Sequence, residues 1–151
     1  MPRARPDTGA RGTTRRSLAA GLLLLLPLRA AAQTPLPSLS VREAHEAQKA
    51  GKLVLVDIRT PEEWADTGVP QGAIRLDMEA SAFEVRLAAL RLEHPGKPIA
   101  LICRTANRTG TLQKKLAARG WRELVNVRGG LLGNPGDKGW LAEGLPVEAG
   151  R

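Results

Sequence analysis

Ile99-Ala100-Leu101-Ile102-Cys103-Arg104-Thr105-Ala106-Asn107-Arg108 is a run of four apolar residues followed at once by a cysteine and a polar turn with two arginines. A continuous apolar run of this length is expected of a central parallel strand covered on both faces. Leu112 and Leu116 then recur at helical spacing with Gly120 just past them, which predicts a helix beginning at about Thr109. The unit reads as strand, loop, helix, and it places Cys103 at the carboxyl end of a buried strand.

The same alternation extends in both directions. Leu53-Val54-Leu55-Val56 is a second continuous apolar run, and Ala73 to Leu76 and Leu124 to Val127 are weaker strand candidates. Phe83, Leu87 and Leu90 mark a helix between strands, and Ser40 with Glu43 forms a capping-box signature for a helix that Gly51 closes. Strands alternating with helices predict an α/β fold: a three-layer sandwich with a central parallel sheet of about five strands and helices on both faces. At 151 residues one domain is expected, without a separate cofactor domain. Aromatic residues make up only 3% of it, too few for a surface that stacks bases, so no nucleic-acid partner is expected.

The formal charge of +8 is unevenly placed. Residues 1–32 hold six Arg and one Asp, and the rest of the chain is only +3. Those residues have the three parts of a secretory signal: a basic region ending in Arg15-Arg16, an apolar run from Leu18 to Leu28, and Ala30-Ala31-Ala32 before Gln33. The run is too short for a spanning helix, which needs roughly 20 apolar residues, so no stable membrane anchor is expected. Thr14-Arg15-Arg16-Ser17-Leu18 is also compatible with a twin-arginine signal. The sequence therefore predicts a cleavable signal at 1–32, a linker at 33–37 beginning the mature chain, a folded domain at 38–148, and a periplasmic or secreted product. No Cys lies near the cleavage point, which excludes lipoprotein processing.

Cys103 is the only cysteine, so no internal disulfide can form. A free Cys taken alone is more often a small buried apolar residue. Here it sits at the sheet edge where ligands of open α/β sheets bind, and the following helix turns its free N–H groups and positive dipole end toward it. Arg104 and Arg108 add two guanidinium groups, and together these features favour the nucleophilic thiolate. There are two His in the chain. His45 falls on a helix expected at the surface and His94 before a Pro-Gly turn; neither is placed as a general base, and no His/Cys cluster exists to bind a metal.

Cys103-Arg104-Thr105-Ala106-Asn107-Arg108 resembles the active-site loop of the single-domain rhodanese family, Cys-Arg-Ser/Thr-Gly-x-Arg. Leu55-Val56-Asp57-Ile58-Arg59-Thr60-Pro61-Glu62-Glu63-Trp64 resembles that family's early signature and Gly72-Ala73-Ile74 its second. Val127-Arg128-Gly129-Gly130, with Trp140 and Gly144-Leu145-Pro146, resembles its C-terminal segment. The likeness runs in order over about residues 38 to 148. Ala106 stands where the family usually has Gly, although Ala tolerates positive φ less readily. The His common before the second signature is absent, with Thr67-Gly68-Val69 in that region.

The resemblance implies a sulfurtransferase with no metal or organic cofactor, in which Cys103 takes a sulfur from a small donor such as thiosulfate and a thiol or cyanide removes it. It implies that residues 104–108 form a cradle of backbone N–H groups around the sulfur: Arg104, Thr105, Ala106, Asn107 and Arg108 bind substrate, and one of the two arginines meets the donor's anionic oxygens. Asp57 and Arg59 are expected to support the loops by an ion pair or hydrogen bonds, and Trp64 and Trp140 to pack. Two other readings compete. Phosphatases and arsenate reductases of the related cell-cycle phosphatase type place five residues between Cys and Arg, whereas four intervene here. A non-enzymatic module that stores sulfur or binds a protein partner would also keep the fold.

Overall fold

The computed structural model describes residues 34–150, so the expected signal at 1–32 and Gln33 lie outside the described residues. Five parallel strands make the central sheet: β1 (Ser38–Leu39), β2 (Val54–Asp57), β4 (Ile74–Arg75), β5 (Ile99–Ile102) and β6 (Leu124–Val127), in spatial order β1-β6-β5-β2-β4. A small antiparallel ribbon joins β3 (Val69–Pro70) to β7 (Val147–Glu148). Four helices accompany them: α1 (Val41–Lys49), α2 (Pro61–Thr67), α3 (Phe83–Glu93) and α4 (Asn107–Ala118). This is the expected three-layer α/β architecture. No helix among the described residues is long and apolar enough to cross a membrane.

The central strands are buried on both faces, and successive residues divide between two cores as a pleated strand requires. Leu55, Ala100, Ile102, Val125 and Val127 meet α1, α2, Leu131 and Trp140 on one face. Val54, Val56, Ile99, Leu101 and Leu124 meet α3 and α4 on the other. The continuous apolar runs are thus read by two layers at once.

Local signals set the helix starts. Ser40 and Glu43 form the expected capping box of α1, the Glu43 carboxylate accepting from the Ser40 N–H at 2.7 Å. Thr60 and Glu63 form a second one at α2, with Pro61 in the first turn where no N–H is needed. That second box stands in the sequence, but α2 is only seven residues long and shows no apolar period to announce it. β1 is two residues long and pairs with β6, a contact that no local pattern reveals.

Two expectations need correction. His45 is buried, because it follows Val41 and Ala44 on the inward stripe of α1, and it sets its ring edge-on to Trp140 at 5.4 Å between centroids. α4 begins at Asn107 and not Thr109, because Ala106 takes the turn by itself at φ 71° and frees the next two residues for the first helical turn.

The Arg59 side chain is 1% exposed and that of Asp57 0%. Arg59 donates through Nε and Nη2 to both Asp57 oxygens, and through Nη1 and Nη2 to the Glu63 carbonyl, the Thr67 hydroxyl and the Gly68 carbonyl. It therefore ties the end of β2 to the carboxyl end of α2, with its donors satisfied. A buried charge left without its partner is destabilising by about 3–5 kcal/mol, whereas an exposed pair is worth about 1 kcal/mol or less. Asp57→Ala is accordingly expected to lower the urea midpoint sharply, and Arg119→Ala, which opens the exposed Arg119–Glu84 pair, to leave it nearly unchanged. Comparable shifts in the two variants would contradict this ranking.

Candidate active site

β2 and β5 are neighbours in the sheet, but the chain leaves them in opposite directions: α2 follows β2 onto the first face, and α4 follows β5 onto the second. Their carboxyl ends therefore flank a topological switch point, where open α/β sheets bind ligands. Cys103 sits there. It continues the Ile99 and Leu101 side of β5, lies in the core beneath α3 and α4, and is 1% exposed. Its Sγ is 3.4 Å from the Thr109 hydroxyl, which also reaches the Ala106 carbonyl at 3.1 Å and Asn126 Oδ1 at 2.7 Å.

The first three carbonyls of the loop, from Cys103 to Thr105, are occupied from a segment outside it. The Cys103 carbonyl accepts from Leu131 N–H at 2.8 Å, that of Arg104 from Leu132 N–H at 2.9 Å, and that of Thr105 from Asn134 Nδ2 at 3.2 Å. The Ala106 carbonyl starts the helix by accepting from Gly110 N–H. In contrast, the N–H groups of Arg104, Thr105, Ala106 and Asn107 have no acceptor among the described residues. Successive free N–H groups around a left-handed residue make a concavity suited to anions. Ala106 is the single non-glycine residue with positive φ among the described residues, at a cost of about 1–2 kcal/mol. Strain of this kind gathers where a backbone shape serves function.

Arg108 and Arg104 differ. Arg108 is held by Glu63 of α2 in a two-pronged pair, Nη1 to Oε2 at 2.8 Å and Nη2 to Oε1 at 2.5 Å. This hydrogen bonding to Arg108 holds the Glu63 carboxyl below its ordinary range; burial opposes it, and the Thr60 N–H and the charges of Arg108 and Arg59 add to it. The same contact pushes the Arg108 guanidinium further up, against burial and with added attraction from Glu63, Cys103 and Asp57. Arg104 is exposed and has no carboxylate partner among the described residues. It lines a cavity of about 150 Å³ with Arg59, Glu63, Asp66, Thr67 and Leu132. A second hollow of about 370 Å³ lies against Asn107 and Arg108, floored by Met78 and Leu112.

The structure thus brings Cys103, Arg104, Thr105, Ala106, Asn107 and Arg108 into one loop, with Asp57 and Arg59 beneath the neighbouring strand end. Sequence reasoning did not single out Glu63, Thr109, Asn126 or Asn134. Glu63 carried one local signal, its capping box with Thr60, but its Arg108 contact spans 45 positions. Among the described residues no group of three or more His, Cys, Asp or Glu side chains converges to hold a metal ion.

This arrangement of a doubly covered parallel sheet and a cysteine loop at its switch point defines a rhodanese-like domain. The chain matches the Rhodanese-like domain family over residues 40–133 and belongs to it. It is similar to an uncharacterised protein of Rickettsia prowazekii, 32% identical over 98 residues that cover 61% of this chain and 80% of that protein. A sulfurtransferase of Allochromatium vinosum is 29% identical over 64% of this chain and 79% of its own. Among solved structures, the polysulfide-sulfur transferase homodimer of Wolinella succinogenes is 30% identical, with a TM-score of 0.57 over 76% of this chain and 79% of that one. The thiosulfate sulfurtransferase of Pseudomonas aeruginosa, 23% identical, shares the fold with a TM-score of 0.60 over 77% of this chain and 21% of that one.

A carboxyl whose folded-state pKa is depressed adds stability above its ordinary value, and that stability is lost as pH falls through the lowered value. The wild type is therefore expected to melt above Glu63→Gln near about pH 6. The gap should close as pH drops below 4.5, the ordinary Glu value from which Glu63 is lowered. Thermal melts of both proteins across that window check it; a gap independent of pH would mean that Glu63 acts without its charge.

Proposed function

We propose that this rhodanese-like protein is a sulfurtransferase that carries a sulfane sulfur on Cys103 as a persulfide, taken from thiosulfate or a similar anionic donor. The observation that carries the reading is the Cys103 loop: a cysteine at the sheet's switch point, followed by four N–H groups with no acceptor among the described residues. Such donors suit the outer sulfur of a persulfide anion and the charge that moves through it.

In the first half-reaction the Cys103 thiolate attacks the outer sulfur of thiosulfate. A bond forms between Sγ and that sulfur, the sulfur–sulfur bond of thiosulfate breaks, and sulfite leaves with the electron pair. In the second, an acceptor thiolate attacks the outer sulfur and leaves as its own persulfide, returning Cys103 as thiolate; cyanide leaves as thiocyanate. Sulfur transfer in the similar Wolinella succinogenes and Allochromatium vinosum proteins supports this chemistry.

Arg104 is the guanidinium that meets the donor's anionic oxygens in this scheme. It is exposed and without a carboxylate partner among the described residues, while Arg108 is already paired to Glu63. Arg108 holds the loop's end to α2 instead. The reaction takes place outside the cytoplasm, on the evidence of the basic, apolar and small-residue order of positions 1–32.

Intact mass spectrometry of the protein after thiosulfate is expected to find about 32 Da added at Cys103, the mass of one sulfur, and none on a folded Cys103→Ser protein. Thiocyanate formation by that variant at wild-type rate would refute the mechanism. Arg104→Ala is expected to raise KM for thiosulfate about 10-fold, equal to roughly 1.4 kcal/mol, while an uncharged sulfane donor is used almost as before. Equal losses with both donors would reassign Arg104 to shaping the loop. N-terminal sequencing of protein from the native host is expected to begin at Gln33; intact Met1 on cytosolic protein would remove the proposed location.

A further inference from the structure

Asn134 lies 29 positions from Thr105 in a glycine-rich segment that wraps the outside of the Cys103 loop, and it makes two kinds of contact. Its Oδ1 accepts from the Gly136 and Asp137 N–H groups, each at 3.0 Å, which shapes its own turn. Its Nδ2 donates to the Thr105 carbonyl at 3.2 Å. The preceding two loop carbonyls are held by main-chain donors, Leu131 and Leu132. These reach the loop because residue 130 is glycine: a Cβ there would lie 2.6 Å from the Cys103 carbonyl oxygen and 2.8 Å from that of Arg104.

A trans peptide unit is planar, with its C=O and N–H pointing in opposite directions. Fixing a carbonyl on the outer side therefore fixes the N–H of the next residue on the opposite side. Leu131, Leu132 and Asn134 in this way orient the N–H groups of Arg104, Thr105 and Ala106. The third is the one clamp of the three made by a side chain, and it acts on the peptide that leads into strained Ala106.

We infer that Asn134 is a positioning residue for sulfur transfer: by holding the Thr105 carbonyl outward it keeps the Ala106 N–H turned to the sulfur. The inference rests on the proposed persulfide chemistry and adds a residue outside the loop to it. Without the clamp the 105–106 peptide can rotate and present its carbonyl oxygen, a repulsive dipole, where a donor is needed.

Two variants separate this role from that of shaping the turn. Asn134→Asp keeps the shape and the oxygen that caps Gly136 and Asp137 but has no N–H to donate. Asn134→Ser keeps a turn-forming oxygen without adding charge, and it is too short to reach Thr105. Each is compared with the wild type by the rate of sulfur uptake from thiosulfate, the pH profile of Cys103 alkylation by iodoacetamide, and thermal melting. Misplacing a catalytic donor by about an ångström can cost on the order of 100-fold, so both variants are expected to take up sulfur at least about 10-fold more slowly. Their alkylation profiles should shift to higher pH, with melting little changed.

Wild-type uptake and an unshifted alkylation profile in either folded variant would overturn the inference, as would loss of the fold in both, which would make Asn134 a purely structural residue. If the wild type takes up no sulfur from thiosulfate, the proposed donor fails. The alkylation profiles still decide whether Asn134 orients the loop.

Discussion

The Glu63–Arg108 pair joins two segments that leave adjacent strands in opposite directions, and the geometry of the site depends on that join. α2 and α4 pack on different faces of the sheet, and this pair spans from one to the other. A two-pronged contact between a carboxylate and a planar guanidinium has a fixed geometry, unlike a contact between point charges. Glu63 also caps α2 through the Thr60 N–H. One carboxylate thus sets where a helix begins and where the cysteine loop ends.

Beneath that join lies a more expensive one. Asp57 and Arg59 are charges withdrawn from water, tolerable because the guanidinium donates to two oxygens of its partner and to three further acceptors. Thr67 takes part as well: its hydroxyl receives Arg59 and donates to the Glu63 carbonyl. The end of β2 is thereby tied to the carboxyl end of α2, and a site on a well-anchored element is held more precisely than one on a loop alone.

Cys103 belongs to two systems at once. By side-chain direction it is the last residue of a core row that includes Ile99 and Leu101; by position it is the first residue of a loop whose N–H groups have no acceptor among the described residues. Among the described residues its Sγ has one side-chain hydrogen-bond partner, the Thr109 hydroxyl, which is shared with Asn126 and the Ala106 carbonyl. Its surroundings are therefore apolar on the side of the core and lined by N–H groups without an acceptor among the described residues on the side of the loop.

The strand-and-helix alternation, the two central strands, the capping box of α1 and the position of the cysteine at a strand end were legible because each depends on residues close together in the chain. Hydrophobic period and cap chemistry are local, and they carried the fold class, the strand carrying Cys103 and the loop that follows it. What only tertiary structure decided are the contacts of long separation: Glu63 with Arg108, Asn134 with Thr105, and β1 with β6. It also decided that His45 turns inward against Trp140, and that of the loop's two arginines it is Arg104 and not Arg108 that has no carboxylate partner among the described residues. Two arginines in one loop are chemically alike in sequence, and only the position of a carboxylate brought in by another helix distinguishes them.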